Sequence, residues 1–128
     1  MRVWLTFAAL IFLAIMVSGC VSVPEKYWQV NKMTSHRFTY VTDIEKHGLP
    51  HYDEPWVTGE SRFTGDCEEF SSAIQFQLAK IGVSSDRWLV VGRRGFHALT
   101  CSDDGFCFDA FTIPMRRENV PYKFISRM

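Results

Sequence analysis

From Cys67 onward, Phe70, Ala73, Ile74, Leu78 and Ile81 fall three and four residues apart, which places them on one stripe of an α-helix. Asp66 is a good N-cap, and Glu69 three residues later completes a capping-box pattern. Gly82 suits the C′ position, so the pattern predicts a helix over 67–81 with Cys67 in its first turn. Three strand-like runs follow: "RWLVVG" at 87–92, "FHALTC" at 96–101 and "FCFDAF" at 106–111. Arg93-Arg94-Gly95 joins the first two, with the arginines as a solvated turn, and the hairpin signal "SDDG" joins the last two.

The rest of the chain is less regular. Residues 30–40 fit a short helix or a strand equally. The stretch 47–65, with Gly48, Pro50, Pro55, Gly59 and Gly65, reads as a long irregular connection of the kind that often carries function. Residues 112–128, with Pro114 and Pro121, form a terminal segment without a pattern that selects an element.

At the amino end, Arg2 precedes an apolar run from Val3 to Val17 and then the small residues Ser18 and Gly19, the layout of a secretory signal. It is too short and wrongly flanked for a transmembrane helix. The closing "VSGC" at 17–20 resembles the bacterial lipobox, which implies cleavage before Cys20 and a diacylglycerol on its sulfur. Cleavage would remove 19 of the 128 residues and leave 109. The expected organisation is a signal peptide at 1–19, a lipidated tether at 20–29 and one domain at 30–128. Val21 follows the cysteine, not the Asp usual for inner-membrane retention, so the expected place is the periplasmic face of the outer membrane.

Composition adds little to this picture. Basic and acidic residues balance at 14 each, so no charge excess points to nucleic acid, and no repeat or low-complexity tract is present. Loss of Arg2 with the signal leaves 13 basic against 14 acidic groups. A monomer is expected. An oxidising compartment changes the reading of the cysteines: with Cys20 lipidated, two of Cys67, Cys101 and Cys107 should pair. The hairpin makes Cys101–Cys107 the expected disulfide and Cys67 the thiol left over.

Cys67 stands between Asp66 and Glu68, with Glu69 next, and carboxylates disfavour the reactive thiolate. A helix start offsets this, because unpaired N–H groups and the positive end of the helix dipole favour negative charge. Asp66 and Glu69 would turn toward backbone N–H groups, and Glu68 toward solvent. A cationic partner is still needed, and histidine is the expected one. Alternation puts His97, Leu99 and Cys101 on one face of their strand, and Cys107 and Asp109 on one face of the next. If Cys101 opposes Cys107, Leu99 opposes Asp109, and Asp109 becomes a diagonal neighbour of His97 at roughly 7–8 Å between backbones. That is a nucleophile–base–orienter set: Cys67, His97 and Asp109. His36, His47 and His51 read as loop residues, because His47 and His51 lack a matching cysteine pair for a zinc site.

"GDCEEF" at 65–70, the apolar helix, "IGV" at 81–83, "FHALTC" and "CFDAF" resemble the bacterial transglutaminase-like cysteine peptidases. That family reads roughly G-D-C-E-D-[FY]-A, a helix, L-G-[IV], H-A-V and L-D-N. Upstream, "VNKMTSHRFTYVTDIEKHG" and "PWVTGESRF" are similar to its V-N, Y-x-x-D and W-x-T-P-x-E stretches. The likeness spans residues 30–112. It implies a papain/transglutaminase-like α+β fold, with the Cys-bearing helix packed on a small antiparallel sheet carrying His and Asp. It also implies a catalytic Cys67–His97–Asp109 triad and, from relatives that act in a calcium-dependent way, a calcium site at Asp66, Glu68 and Glu69. No other cofactor is required. Glu69 at the family's Asp, Ser71-Ser72 after Phe70, Gly59 at its Pro and Ala110 at its Asn depart from the pattern, and none removes a catalytic group.

The expected function is thiol-dependent hydrolysis of a peptide or isopeptide amide through an acyl-enzyme, with a protein or peptide as substrate. Acyl transfer to an amine shares that intermediate. The Cys67 backbone N–H is the expected first oxyanion donor and the Trp56 indole the second. A lipid-anchored module that binds a periplasmic partner is the alternative from a different class. A peptidoglycan-cleaving cysteine peptidase is the other enzyme; it usually carries Ser-Gly after the cysteine, where Glu68-Glu69 stand here.

Overall fold

The computed structural model describes residues 22–48 and 57–128. The apolar leader, Cys20, His51 and Trp56 lie outside the described residues. The elements are α1 (Glu25–Arg37), β1 (Phe38–Tyr40), α2 (Asp43–His47), β2 (Phe63–Gly65), α3 (Cys67–Lys80), β3 (Ser85–Gly92), β4 (Gly95–Ser102), β5 (Phe106–Phe108), β6 (Met115–Arg116), a 3-10 turn (Arg117–Asn119) and β7 (Lys123–Arg127). The class is α+β, with a five-stranded antiparallel sheet in the order β6-β5-β4-β3-β7 and a separate two-stranded parallel sheet of β1 and β2.

Helix α3 starts and stops close to where its pattern predicts. The Asp66–Glu69 capping box is formed: the Glu68 N–H donates to Asp66 Oδ1 at 2.9 Å, and the Asp66 N–H donates to Glu69 Oε2 at 2.7 Å. Each bond satisfies a donor that the first helical turn leaves without a partner. The other end closes at Lys80, with Ile81 as C-cap and Gly82 at a φ of +77°. Phe70, Ala73, Ile74 and Leu78 are buried, whereas Ile81 is exposed beyond the last turn.

The undecided stretch 30–40 splits, helical to Arg37 and extended over Phe38–Tyr40. Helix α1 begins at Glu25, so the folded body reaches into the segment expected as a tether at 20–29. The reason is packing: Tyr27 and Val30 join Phe70, Ile74, Leu78, Phe106 and Phe108 in one apolar cluster. The Tyr27 hydroxyl also donates to the Asp104 carboxylate in the β4–β5 turn, at 2.8 Å. The connection at 47–65 is not wholly irregular. Thr42 and Glu45 cap the short helix α2, and β2 pairs with β1 so that Tyr40 stands opposite Gly65. His36 and His47, both expected in loops, are accordingly helix residues, in α1 and α2.

The β3–β4 hairpin pairs Val90 with His97 and closes through Arg93 and Arg94, with Gly95 at a φ of +108°. In the β4–β5 hairpin Thr100 opposes Phe108 and Cys101 opposes Cys107, the predicted register, and the two cysteines form a disulfide. One strand stops well short of its predicted extent. The run 106–111 is extended only through Phe108, because Asp109 Oδ1 accepts the Phe111 N–H at 3.1 Å and turns the chain. That side-chain-to-backbone bond competes with the strand ladder. The tail adds β6 beside β5, and β7 beside β3.

Several bonds set how α3 lies on the sheet. The Thr100 hydroxyl donates to Ser71 O at 2.7 Å, Arg87 reaches Ser71 Oγ and Glu68 O, and Gln75 reaches Ser85 O. Moving from Gln75 back to Glu68 therefore moves toward the start of β4, and the helix tip arrives near His97. On the sheet's other face Val90, Leu99, Cys101 and Cys107 form a second cluster, covered by Trp88, Val120, Tyr122 and Phe124.

The disulfide closes a short loop, with the two cysteines six residues apart. Its removal in a Cys101→Ala/Cys107→Ala double variant should cost about 2 kcal/mol of stability through the freed unfolded chain, read as a lower urea midpoint. An unchanged midpoint would contradict a bond formed in the folded protein.

Candidate active site

Cys67 is the first residue of α3, a free and half-buried thiol. It lies close enough to the side chain of His97, which β4 brings to the helix tip, to favour the charged imidazole. The other side of the imidazole is taken by Asp109, whose Oδ1 lies 2.6 Å from His97 Nε2. With Nε2 so engaged, Nδ1 is the ring nitrogen left to face the sulfur. His97 and Asp109 thus meet, with Cys67 close by at the helix tip, although Asp109 does so from a turn just past the strand and not from within it.

The contact between His97 and Asp109 is shielded, with side-chain exposures of 11% and 6%. Phe111 covers one face of the ring, stacked at 5.3 Å between centroids with 25° between planes, and Tyr122 approaches at 5.5 Å. Phe111 is itself 59% exposed and meets Tyr40 at 5.2 Å, so an aromatic surface runs from the imidazole to β1. None of these three aromatic residues was expected from sequence. Phe111 could have been, since it stands two residues after the orienting carboxylate, the spacing of a side-chain-capped turn.

Burial and charge oppose one another at this pair. Burial is the largest influence on His97 and acts to lower its pKa. The hydrogen bond that His97 donates to Asp109, then contact with Cys67 and the charge of both, outweigh it and raise the value to about 9. For Asp109, burial pushes upward, but the hydrogen bond to His97 and the Phe111 N–H together hold the carboxyl below its ordinary range. The imidazolium–carboxylate form is therefore the favoured one at neutral pH.

The acids around the cysteine separate into different roles. Oxygens of Asp43, Asp66 and Glu69 all lie within 4.8 Å of one another. Burial first, and then the hydrogen bond with Asp66, raise the Glu69 carboxyl to about 7. Glu68, expected as a calcium ligand, is exposed and stands outside this cluster, because the helix turns it away from Asp66 and Glu69. Asp43 joins the cluster instead and was not singled out from sequence, although it is the Asp of the "YVTD" stretch at 40–43. Gly65 makes the crowding possible, since a Cβ there would meet Glu69 Cγ at 2.5 Å. Trp56, the expected second oxyanion donor, is outside the described residues.

The His97 contribution to stability follows its raised pKa: complete below the ordinary value of 6.5, it is lost as pH rises through about 9. The Asp109 contribution has the opposite sense, present above 3.8 and lost as pH falls through the depressed value. Asp109→Asn removes the charge and should bring the His97 titration down from about 9, as read by imidazole NMR. The stability difference between wild type and this variant should shrink as pH rises from 6.5 to 9. A difference that is constant across that window would contradict the ion pair.

No protein-family model matches this chain, and no curated protein matches it.

Proposed function

We propose that this protein is a thiol-dependent hydrolase of peptide or isopeptide amides, with a papain/transglutaminase-like core and Cys67, His97 and Asp109 as its catalytic set. The observation that supports this most is the shielded series in which one imidazole is hydrogen-bonded to a buried carboxylate and lies close enough to a half-buried thiol for that thiol to favour its charged form. A surface histidine or a packing cysteine has no need of that arrangement, and burying a carboxylate is costly unless its partner requires it.

In this reading the proton given up by Cys67 Sγ resides on His97 Nδ1 as the imidazolium favoured at neutral pH, and the sulfur, as thiolate, attacks the carbonyl carbon of the scissile amide. Charge on the carbonyl oxygen develops beside the helix tip, where the Cys67 backbone N–H precedes the helical ladder and can donate to it. The imidazolium then gives its proton to the departing nitrogen, the C–N bond breaks and a thioester remains. Water, deprotonated by His97, attacks the thioester carbon, and the sulfur leaves with the acid released. An amine attacking in place of water gives transfer by the same route. Asp109 keeps its proton-free form throughout and holds Nε2–H, so the ring presents one nitrogen to the sulfur. The half-exposed rings of Phe111 and Tyr40 offer a face along which an extended polypeptide can lie.

Placement in the envelope belongs to the same proposal. It is supported by the lipobox-like "VSGC" and by the Cys101–Cys107 disulfide, which suits an oxidising compartment. A calcium ion, if bound, would be held by Asp43, Asp66 and Glu69, whose carboxylates are the hard oxygen donors it takes. The ion would replace the hydrogen bond that Asp66 and Glu69 share and would brace the helix start that bears Cys67. Calcium should then raise the melting temperature of the wild-type chain and leave that of Asp43→Asn where it was. Equal shifts in both would exclude this cluster.

The catalytic reading is tested by alkylation. Iodoacetamide should modify Cys67 in the full-length chain at neutral pH, and His97→Ala should slow the reaction roughly a hundredfold, the scale of a lost general base. Equal rates in the two proteins would leave Cys67 as a packing residue and overturn the proposal.

A further inference from the structure

Asp109 uses only one of its oxygens fully. Oδ1 accepts from both His97 Nε2 and the Phe111 N–H, whereas Oδ2 is buried without a partner at full hydrogen-bond geometry. A buried carboxylate oxygen without a donor is costly, and with both bonds on one oxygen the carboxylate is free to swivel about them.

The group nearest to filling that role is Tyr122. Its hydroxyl interacts with the Asp109 carboxylate, and its ring rests 5.5 Å from the His97 ring. Tyr122 and Asp109 also line one small crevice with Leu99, Cys107, Thr112 and Pro121. The ring lies there because β3 ends in glycine: a Cβ on Gly92 would stand 2.6 Å from Tyr122 Cδ1. Gly92 has an ordinary φ, so the requirement is space and not backbone conformation.

We propose that Tyr122 is a positioning residue for the catalytic pair: its hydroxyl closes on Asp109 Oδ2 and its ring seats His97 in the space that Gly92 leaves open. This rests on the hydrolase reading above and adds a fourth member that touches neither substrate nor sulfur. By holding the second oxygen, the phenol stops the carboxylate from turning away when His97 passes its proton on. Mutual effects agree with the geometry. Burial, and then Asp109, push the Tyr122 phenol upward, while nearby Arg94 draws it down. Burial pushes the Asp109 carboxyl upward, and the donors around it, Tyr122 among them, draw it down.

The test follows the pH dependence of Cys67 alkylation by iodoacetamide in the full-length chain. The groups that titrate or carry charge around Asp109 and its partners are His97, Tyr122, Cys67 and Arg94. Tyr122→Phe keeps the ring and removes only the donor. Its carboxylate should protonate at higher pH, so the acid limb of the profile should move up, and the rate at neutral pH should fall about tenfold, the scale of one hydrogen bond to a buried charge. The low-field NMR resonance of the His97 Nε2 proton should broaden in the same variant. Gly92→Ala, which displaces the ring, should lose at least as much. A Tyr122→Phe profile and resonance superimposable on wild type would overturn the inference while His97-dependent alkylation stood. Alkylation independent of His97 would instead sink the hydrolase reading beneath it.

Discussion

Much of this structure is arranged around one buried carboxylate. An ionised Asp109 with apolar neighbours on both sides, Phe108 and Ala110, is tolerable only if cations and donors surround it. His97 provides the charge and the Phe111 amide provides a second donor. These partners account for local features that otherwise look unrelated. Strand β5 stops at Phe108 because the next side chain captures its own backbone two residues on. The Cys101–Cys107 pairing holds β4 against β5 in the register that puts Asp109 beside His97. Gly92 ends β3 without a side chain, so that an aromatic ring can close the far side of the same pair.

The helix tip solves a second electrostatic problem by a different route. Four consecutive residues, Asp66 through Glu69, set three carboxylates around one thiol. Asp66 and Glu69 are bound reciprocally into the capping box, which directs their charge to backbone donors and to one another. Glu68 is left on the outer surface of the helix. The same folding-back of Glu69 that caps the helix buries it against Asp43 and Asp66, and raises its pKa to about 7. A helix cap and a cation-ready cluster are therefore one construction, and Gly65 is the small residue that lets it close.

Legibility followed the range of the interactions. The α3 boundaries, the capping box, the hairpin register and the disulfide were readable because each depends on residues near one another along the chain, with fixed periods of 3.6 or 2. The meeting of His97 with Asp109 was readable for the same reason, since a hairpin converts sequence spacing into facing positions. The assignment of 30–40 was not, because those residues carry no single period; the split at Arg37 and Phe38 comes from what each half packs against. Tyr27 looked like part of a tether until Phe106 and Phe108, nearly eighty residues away, supplied its surroundings. Asp43 gave no local sign of joining Asp66, because a parallel strand pair with its own loop brings them together.

Taken alone, the order of residues determined a capped helix that starts on a cysteine, and a disulfide-closed hairpin that holds a histidine and an aspartate on one face. Both are short-range consequences of backbone geometry and side-chain alternation. Tertiary structure decided that the tip of that helix reaches that histidine, because the contact depends on how α3 lies across β3 and β4 through Ser71, Gln75, Arg87 and Thr100. It also decided which aromatic rings enclose the pair, since Tyr40, Phe111 and Tyr122 arrive from three separate segments. Interhelix and helix–sheet placement is fixed by the sum of many long-range contacts, and no local pattern in the chain encodes it.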